Sequence, residues 1–354
     1  MIRVAIIGAG IGREHLAGYQ AHPDRFSVRI LCDLDMERAA EVVGGAPIRI
    51  EADFAAVLAD PDVDLVDICL PPHLHFSATL DALRAGKHVV CEKPLVTSLN
   101  EVDLLIEAAQ QTQRKLFPVF QYRFGLAMAQ LQALIDEDLT GPAYAASLET
   151  HWDRDADYYA VPWRGTWEGE SGGAVLGHAI HNHDLLTSIM GPVARLSAMT
   201  TTRVNDVEIE DCAAISFQMT SGAVATSSIT LGAADNTSRI RVCFERLTAE
   251  SGTAPYAPAT DKWTFTARGS ASQEKIDAVL AGVGDVHSGF AGFFEALANA
   301  LDDQVANRAV TVQDGRQSVE LVTAIYQAAR EQRTVELPLG SENALYHGWC
   351  PSDI

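Results

Sequence analysis

Short apolar runs alternate with amphipathic stretches from the start of the chain to about residue 120. The apolar runs are rich in valine, isoleucine and leucine, as buried strands are, and strands are predicted at residues 4–8, 28–32, 65–70 and 88–91. The stretches between them repeat apolar residues at helical spacing, and helices are predicted at residues 15–21, 35–43, 54–59, 76–85 and 99–110. This alternation predicts an α/β domain with a Rossmann-type, doubly wound parallel sheet.

The pattern changes after residue 121. One helix is predicted at residues 126–138, and strand-like alternation then covers residues 143–150, 193–204, 211–219, 223–231, 239–244 and 262–267. Short turns join these strands, which predicts antiparallel neighbours. Two more helices are predicted at residues 290–301 and 314–332, the last with Asp314 as its N-cap. We therefore expect two domains, residues 1–120 and residues 121–354, the second an α+β domain with a large, mostly antiparallel open sheet.

The composition changes this picture mainly by what it excludes. The chain carries 26 basic and 47 acidic residues, a net charge of −21, which repels nucleic acid and anionic lipid, so neither is an expected partner. No apolar run reaches the length of a membrane span, and the first strand begins too early to leave room for a signal peptide. The six cysteines form no C-x-x-C pair, which indicates free thiols and a cytoplasmic location.

Three glycines follow the first strand and precede the first helix. Gly8 allows a tight turn, Gly10 allows the backbone to approach a pyrophosphate, and Gly12 allows close helix packing. The third glycine comes one residue earlier than in the usual G-x-G-x-x-G spacing, and Ile11 stands between the last two. A strand, a glycine turn and a helix start together predict a dinucleotide-binding site rather than an ordinary βα turn.

An acid at the end of the second strand indicates which dinucleotide is bound. Asp33 lies 21 residues after Gly12, where a carboxylate bonds the adenosine ribose hydroxyls and repels a 2′-phosphate. We therefore expect NAD to be preferred over NADP, although Arg29 or Arg38 could oppose this preference. Asp35 is better placed as the N-cap of the next helix.

Two later strands end in residues that suit the same edge of the sheet. Leu70 and Pro71 end one strand, and His75, just beyond them, either contacts the cofactor, caps the next helix or lies at the surface. Lys93 follows another strand between Glu92 and Pro94, and proline restricts the backbone there. A lysine in this position can donate to a substrate oxygen and stabilise developing alkoxide charge.

The second domain supplies three histidines close together. A glycine-rich stretch at 171–177 leads into a predicted helix with His178, His181 and His183. A metal site is considered but not expected, because no cysteine or acidic cluster completes it. A general acid/base role for His181, with Asp184 one turn away to orient its ring, fits hydride chemistry better. Each histidine could instead be a hydrogen-bonded core residue.

The glycine turn, Glu92-Lys93-Pro94 and the glycine-then-histidine helix occur in one order that resembles the Gfo/Idh/MocA family. The resemblance covers nearly the whole chain, and Glu-Lys-Pro after a doubly wound domain is its most specific element. It implies a nucleotide-binding domain followed by a domain for substrate binding and oligomerisation, whose open sheet often packs against another subunit. It also implies oxidation of a sugar or polyol hydroxyl with NAD(P), or the reverse reduction.

The resemblance also implies roles for single residues. Lys93 matches the lysine that binds the reacting hydroxyl, and His181 matches the proton acceptor. Tyr122 and Arg123 match a segment that often lines the substrate pocket, and Trp163 and Arg164 lie in a loop that commonly reaches it. An arginine there suits polyol or carboxylate recognition, or else forms an interdomain or intersubunit salt bridge.

One position departs from the family pattern. Gly177 stands where dehydrogenases of this family usually carry an aspartate, and His178 could substitute for it. We expect an NAD-dependent sugar or cyclitol dehydrogenase that forms a homodimer or homotetramer, without a metal. Two alternatives stay open: a sugar lyase or glycosidase-type enzyme that retains its NAD, and a non-catalytic NAD-binding ligand sensor.

Overall fold

The computed structural model describes residues 1–304 and 308–351, and its contacts divide the chain into two units. The first unit contains Met1–Phe120 and Phe290–Val319, and the second contains Gln121–Gly289 and Glu320–Ile354. A late segment of the chain therefore returns to the first unit, an arrangement that a single cut at residue 120 does not describe. The assignment of cofactor binding to residues 1–120 and of substrate binding to residues 121–354 stays a prediction.

The helices and strands alternate first and then separate into groups. The helices are α1 (Gly12–Gln20), α2 (Met36–Val43), α3 (Phe54–Ala59), α4 (His75–Arg84), α5 (Leu99–Thr112), α6 (Leu126–Asp136), α7 (Trp167–Glu170), α8 (Ile180–Met190), α9 (Gln273–Gly282), α10 (Gly289–Leu301) and α11 (Val312–Glu331). The strands are β1 (Ile2–Ile7), β2 (Phe26–Cys32), β3 (Arg49–Glu51), β4 (Leu65–Ile68), β5 (His88–Cys91), β6 (Leu116–Pro118), β7 (Ala143–Asp153), β8 (Val193–Thr201), β9 (Cys212–Met219), β10 (Val224–Thr230), β11 (Gly232–Phe244), β12 (Leu247–Glu250), β13 (Thr264–Ala267) and β14 (Val335–Glu336).

The first unit is built on a parallel six-stranded sheet in the order β3-β2-β1-β4-β5-β6, which confirms the predicted doubly wound fold. The central strands β1, β4 and β5 are almost fully buried because helices cover both faces of such a sheet. The sequence pattern missed β3 and β6, since each has only three residues and shows no periodicity. The order reverses beside β1, so the loops after β1, β4 and β5 meet at one edge.

The second unit is built on an eight-stranded sheet in the order β13-β12-β11-β7-β10-β9-β8-β14. All neighbours are antiparallel except β10 and β7, which confirms the predicted, mostly antiparallel sheet. Residues alternate between buried and exposed along β9 and β10, so one face forms the core of this unit. Within the described part of the chain, no helix is both long and apolar enough to cross a bilayer.

The last long helix shows where capping was misjudged. Thr311 precedes α11, and its main-chain N–H donates to the Asp314 carboxylate over 2.7 Å. The prediction of Asp314 as the N-cap was therefore wrong, because this residue lies in the first turn and closes a capping box from inside the helix. The prediction for Asp35 is confirmed, since its side chain accepts the N–H of Arg38 at the start of α2.

Candidate active site

The glycine turn after β1 has the shape that its sequence predicts. Gly8 has φ +104°, and a Cβ atom there would lie 2.4 Å from the carbonyl oxygen of Cys69, so only glycine fits. At Gly12 a Cβ atom would lie 2.8 Å from the Ile6 side chain. No atom lies within 4 Å of the same position on Gly10, so the backbone there faces open space. A side chain at Gly10 would fill that space.

This open space adjoins the N-terminus of α1. Ile11 is the N-cap, its side chain is 42% exposed, and no side chain caps the first turn. The helix dipole at this end suits a phosphate anion. The shape of the turn and the helix start suits the pyrophosphate of a dinucleotide. Cofactor binding by Gly8, Gly10, Ile11 and Gly12 stays a prediction.

Asp33 holds the turn in place from the end of β2. Its carboxylate accepts the N–H of Ala9 over 2.7 Å and that of Asp35 over 2.8 Å. The Arg38 guanidinium donates to the same carboxylate at 2.9 Å. Burial works toward a higher pKa, but these donors together lower the pKa of Asp33 below its usual value. Asp33 is therefore an ionised carboxylate that already has one arginine partner.

The loops after β4 and β5 are joined by a buried histidine. His75 Nδ1 lies 2.6 Å from the carbonyl oxygen of Pro94, and Nε2 lies 2.7 Å from that of Leu70. Leu70 is half-buried and Pro71 is exposed. Burial lowers the pKa of His75, although both carbonyl groups work in the opposite direction. The contacts make His75 a brace between two loops at the carboxyl edge of the sheet.

Lys93 emerges half-buried from a segment that is held by Glu92. One carboxylate oxygen of Glu92 accepts the main-chain N–H of Lys93 over 2.9 Å. The other lies 3.0 Å from Nε2 of His15, which belongs to α1. The backbone at Lys93 is therefore tied through one carboxylate to the helix that follows the glycine turn.

His15 is the centre of a fully buried charged network. Its Nδ1 lies 2.8 Å from Asp67 and 3.4 Å from the Cys69 sulfur, and Phe290 packs on its ring at 4.5 Å. Burial works against a charge, but the Asp67 carboxylate raises the pKa of His15 well above its usual value. An imidazolium can donate from both nitrogens, so it satisfies both carboxylates. The sequence alone did not indicate this network.

The same cluster contains a possible set of metal ligands. One donor atom each from His15, Asp67 and Cys69 lies within 4.8 Å of the others, and all three residues are buried. However, both ring nitrogens of His15 lie at hydrogen-bond distance from carboxylates, at 2.8 and 3.0 Å. Hydrogen bonding therefore accounts for the positions of these side chains.

In the second unit, the candidate histidines lie at a π-helical turn. Val175–Ala179 forms this turn, and α8 follows directly. His178 and His181 were expected on one regular helix, and this expectation was wrong. His178 Nε2 lies 3.4 Å from the hydroxyl of Tyr158. His181 is buried and stacks on the Tyr122 ring at 4.4 Å. Single π-helical turns occur often at functional sites.

Two other predicted residues form an ion pair in the second unit. Arg123 donates from Nε and Nη2 to the two carboxylate oxygens of Asp184, over 2.8 and 2.6 Å. This fork geometry fixes both planes and gives Asp184 a partner that the sequence did not indicate. Burial raises the pKa of Tyr122 to about 12, so this tyrosine is neutral beside His181. The ion pair holds the Arg123 guanidinium against Asp184.

His183 has a separate and structural environment. Its Nε2 lies 2.9 Å from the hydroxyl of Ser227, and burial lowers its pKa to about 4. This histidine is neutral, and its neighbours are β10 and the Phe217 ring. It matches the alternative of a hydrogen-bonded core residue.

The loop before α7 carries the remaining predicted residues. The Arg164 guanidinium lies 4.1 Å from the centre of the Tyr158 ring and 5.0 Å from that of Trp163. Trp163 is 46% exposed. At Gly177 no atom lies within 4 Å of the position of a Cβ atom, so the lack of an aspartate there has no steric cause.

Several supporting residues were missed by sequence reasoning. The buried Glu210 carboxylate accepts N–H groups of Gly173 and Val175 and the hydroxyl of Tyr326. Trp349, which is fully buried, donates from Nε1 to the carbonyl oxygen of Ser171 over 2.6 Å. Together they fix the glycine-rich stretch that leads into the π-helical turn. No local pattern marks them, since their partners lie far away in sequence.

Comparisons with known proteins support the fold of both units. A model of an oxidoreductase family with an NAD-binding Rossmann fold, GFO_IDH_MocA, matches residues 2–120, and the model of the GFO/IDH/MocA C-terminal domain matches residues 128–250. The chain is similar to levoglucosan dehydrogenase from Pseudarthrobacter phenanthrenivorans, with 28% identity over 57% of this chain and 54% of that protein. It is also similar to inositol 2-dehydrogenase from Rhodococcus jostii, with 32% identity over 41% of this chain and 40% of that protein.

The chain thus covers less than two thirds of the length of either of these relatives. A similar solved structure is that of the WlbA dehydrogenase from Bordetella pertussis in complex with NADH and UDP-GlcNAcA. It has a TM-score of 0.83 and 26% identity, and the match covers 96% of this chain and 98% of that chain. The likeness extends over both units of the fold.

Proposed function

The chain belongs to the Gfo/Idh/MocA oxidoreductase family, and on that premise we propose that it is an NAD-dependent dehydrogenase. Its substrate is a hydroxyl of a sugar, cyclitol or sugar derivative, and the reverse reduction uses the same groups. The named relatives are dehydrogenases of levoglucosan and inositol, which supports this substrate class.

The observation that carries this proposal is the placement of Lys93. Lys93 follows β5 and Gly8 follows β1, and both strands end at the carboxyl edge of one sheet, with β4 between them. Ligands of open α/β sheets bind at that edge. Glu92 holds the main chain at Lys93, so the lysine side chain extends from a fixed backbone at the same edge of the sheet as the glycine turn.

The remaining chemistry is proposed from residue types. Bound NAD would accept the hydride that leaves the substrate carbon. His181 takes the hydroxyl proton, and the stacked, neutral Tyr122 ring keeps the imidazole in one plane. Lys93 donates to the substrate oxygen and stabilises the negative charge that develops there. His178 lies next to Tyr158 and serves as a substrate-binding group.

We infer a preference for NAD over NADP from Asp33. An ionised carboxylate at the end of β2 repels a 2′-phosphate and accepts hydrogen bonds from ribose hydroxyls. Arg38 acts in the opposite direction, because a guanidinium can bind that phosphate. Its pairing with Asp33 at 2.9 Å ties its charge to the carboxylate and favours NAD.

We also propose a homodimer or homotetramer. On the outer face of the large sheet, Met199 is 73% exposed and Val224 is 52% exposed. Small side chains surround them, including Ala214, Thr226 and Ser228. A broad face of this kind suits contact with a second copy. Light scattering that finds a monomer at micromolar concentration would contradict the proposal.

The test is the absorbance of NADH formed from monosaccharides, cyclitols, sugar acids and anhydrosugars, with NAD and NADP in parallel. We expect turnover with one substrate class, faster with NAD, and a loss of about a thousandfold in kcat for Lys93→Ala. The Lys93→Ala variant should still bind NADH, which calorimetry measures. NADH binding without turnover on any substrate would contradict a dehydrogenase and favour the ligand sensor or the enzyme that retains its cofactor.

A further inference from the structure

Two arginines of the second unit share one aromatic ring. The guanidinium carbon of Arg164 lies 4.1 Å from the centre of the Tyr158 ring, and that of Arg154 lies 5.0 Å from it. Arg154 also lies 5.0 Å from the Trp152 ring. We call these four residues the arginine cluster. Two guanidinium groups on one ring bring two positive charges into the same region of the unit.

The described carboxylates of this region do not pair with the two arginines, although Glu170 acts electrostatically on the Tyr158 ring that they share. Among the described residues, no acidic side chain forms an ion pair with Arg154 or Arg164. Every other half-buried arginine of the described chain pairs with a carboxylate, and these arginines are Arg3, Arg25, Arg123, Arg239, Arg246 and Arg316. The contrast is sharp in a chain with 47 acidic residues and a net charge of −21.

Arg154 is held by neutral groups instead. It donates from Nη1 to the Asp153 carbonyl oxygen and the Asn236 side chain, over 2.6 and 3.1 Å, and from Nη2 to the Tyr256 hydroxyl over 3.0 Å. Its Nε is buried and has no hydrogen-bond partner in the described structure. These contacts orient the guanidinium, and none of them is to a carboxylate. Electrostatic preorganisation toward an anion has this form.

The arginine cluster adjoins the candidate histidines of the same unit. The Tyr158 hydroxyl lies 3.4 Å from Nε2 of His178, and the Trp152 ring meets the His178 ring edge-on at 5.3 Å. His178 belongs to the π-helical turn that leads directly into His181. A substrate group bound at the cluster would therefore lie in the same part of the unit as the proposed proton acceptor.

We infer that the arginine cluster binds an anionic group, a carboxylate or a phosphate, on the sugar substrate. Guanidinium groups bind both anions with paired hydrogen bonds. A surface of net negative charge repels such a substrate, so local positive charge is needed to hold it. This inference rests on the proposed function and names its substrate class as acidic sugars.

The test is calorimetric binding of D-glucuronate, D-glucose 6-phosphate and D-glucose to the protein saturated with NADH. We expect one of the two anionic sugars to bind at least about tenfold more tightly than glucose, and which one does so distinguishes carboxylate from phosphate. Arg154→Gln and Arg164→Gln should each remove about tenfold of that affinity and change glucose binding less than twofold. Arg268→Gln is the matched control, because Arg268 also lies over a tyrosine, 5.8 Å from the Tyr144 ring, but is exposed.

Three results would overturn the inference: equal affinity for glucose and both anions, no binding of either anion at millimolar concentration, or equal losses for charged and neutral sugars in the variants. The proposed function fails in a different way. In that case an anionic sugar binds and its affinity depends on the arginines, yet no NADH forms from any substrate in the absorbance assay.

Discussion

Beside the glycine turn of the first unit, a buried histidine is paired with carboxylates, whereas the buried histidines of the second unit contact aromatic rings and neutral hydroxyls. His15 lies between the carboxylates of Asp67 and Glu92, but His181 stacks on Tyr122 and His183 contacts Ser227. Arg123 and Asp184 of the second unit are also paired as opposite charges.

The difference fits the ligands that we propose for the two units. A cofactor is the same in every turnover, so the first unit can balance its charges internally and keep Lys93 on a fixed backbone. A substrate brings its own charge, so the second unit leaves Arg154 and Arg164 without a carboxylate partner among its described residues. The comparison therefore predicts that charge-removing substitutions destabilise the first unit and change ligand affinity in the second.

The largest predicted effect is on the buried network of the first unit. His15→Gln leaves two buried carboxylates without a cation, so we expect the free energy of unfolding to fall by about 3–5 kcal/mol in chemical denaturation. Adding Glu92→Gln to this variant removes one of the two charges and should restore part of the loss. If both variants unfold like the wild type, His15 does not hold a charged network.

The pH dependence of this network has a definite sign. The pKa of folded His15 is raised above its unfolded value of 6.5, so its stabilising effect is complete below pH 6.5. The effect is lost as the pH rises from there through the folded pKa. The difference in unfolding free energy between wild type and His15→Gln should therefore shrink in alkaline solution, and a constant difference would contradict the charged state.

His183 should respond in the opposite direction. Burial lowers its folded pKa to about 4, so the unfolded chain takes up a proton first when the pH falls below 6.5. Between pH 6.5 and about 4 we expect the wild type to lose about 3 kcal/mol more stability than His183→Gln. Denaturation curves at several pH values measure this loss. Parallel curves for the two proteins would show that His183 is not a neutral core residue.

The cofactor preference should depend on the pair of Asp33 and Arg38. Asp33→Asn removes the repulsion of a 2′-phosphate and releases the guanidinium to bind it. We expect the ratio of kcat/KM for NAD to that for NADP to fall at least about tenfold, or about 1.4 kcal/mol. Adding Arg38→Gln should cancel most of the gain with NADP. An unchanged ratio in Asp33→Asn would remove the basis of the NAD preference.

The smallest predicted effect is at Gly177. No atom lies within 4 Å of a Cβ atom at this position. The free energy of unfolding of Gly177→Asp should therefore differ from that of the wild type by about 0.5 kcal/mol or less. Gly173→Asp is the matched control, because its Cβ atom would lie 1.9 Å from the Glu210 carbonyl oxygen and must displace it. Equal stability of these two variants would contradict the described packing of this stretch.

The sequence predicted best what depends on neighbouring residues. The glycine turn, Asp33 at the end of β2 and the buried strands are local patterns, and the structure shows all of them. The network of His15 depends on residues 52 and 77 positions away, and Trp349 contacts Ser171 from 178 positions away. Such contacts follow from the tertiary fold, so no spacing in the sequence predicts them.

The π-helical turn shows a second limit. The sequence predicted one helix with His178 and His181, but residues 175–179 are wound differently from α8. Glu210 accepts N–H groups of Gly173 and Val175 just before and at the start of this turn. Its carboxylate comes from 37 and 35 positions further along the chain, which no local period can show.

A double-mutant cycle on Lys93 and His181 tests the central claim most directly, namely that both residues act in one hydride-transfer reaction. The values to measure are kcat/KM for wild type, Lys93→Ala, His181→Ala and the double variant on the substrate found in the absorbance assay. We predict large losses in both single variants and a double variant that is little worse than the poorer of them, because groups that act together are not additive. Losses that multiply, or a His181→Ala variant with full activity, would contradict the account.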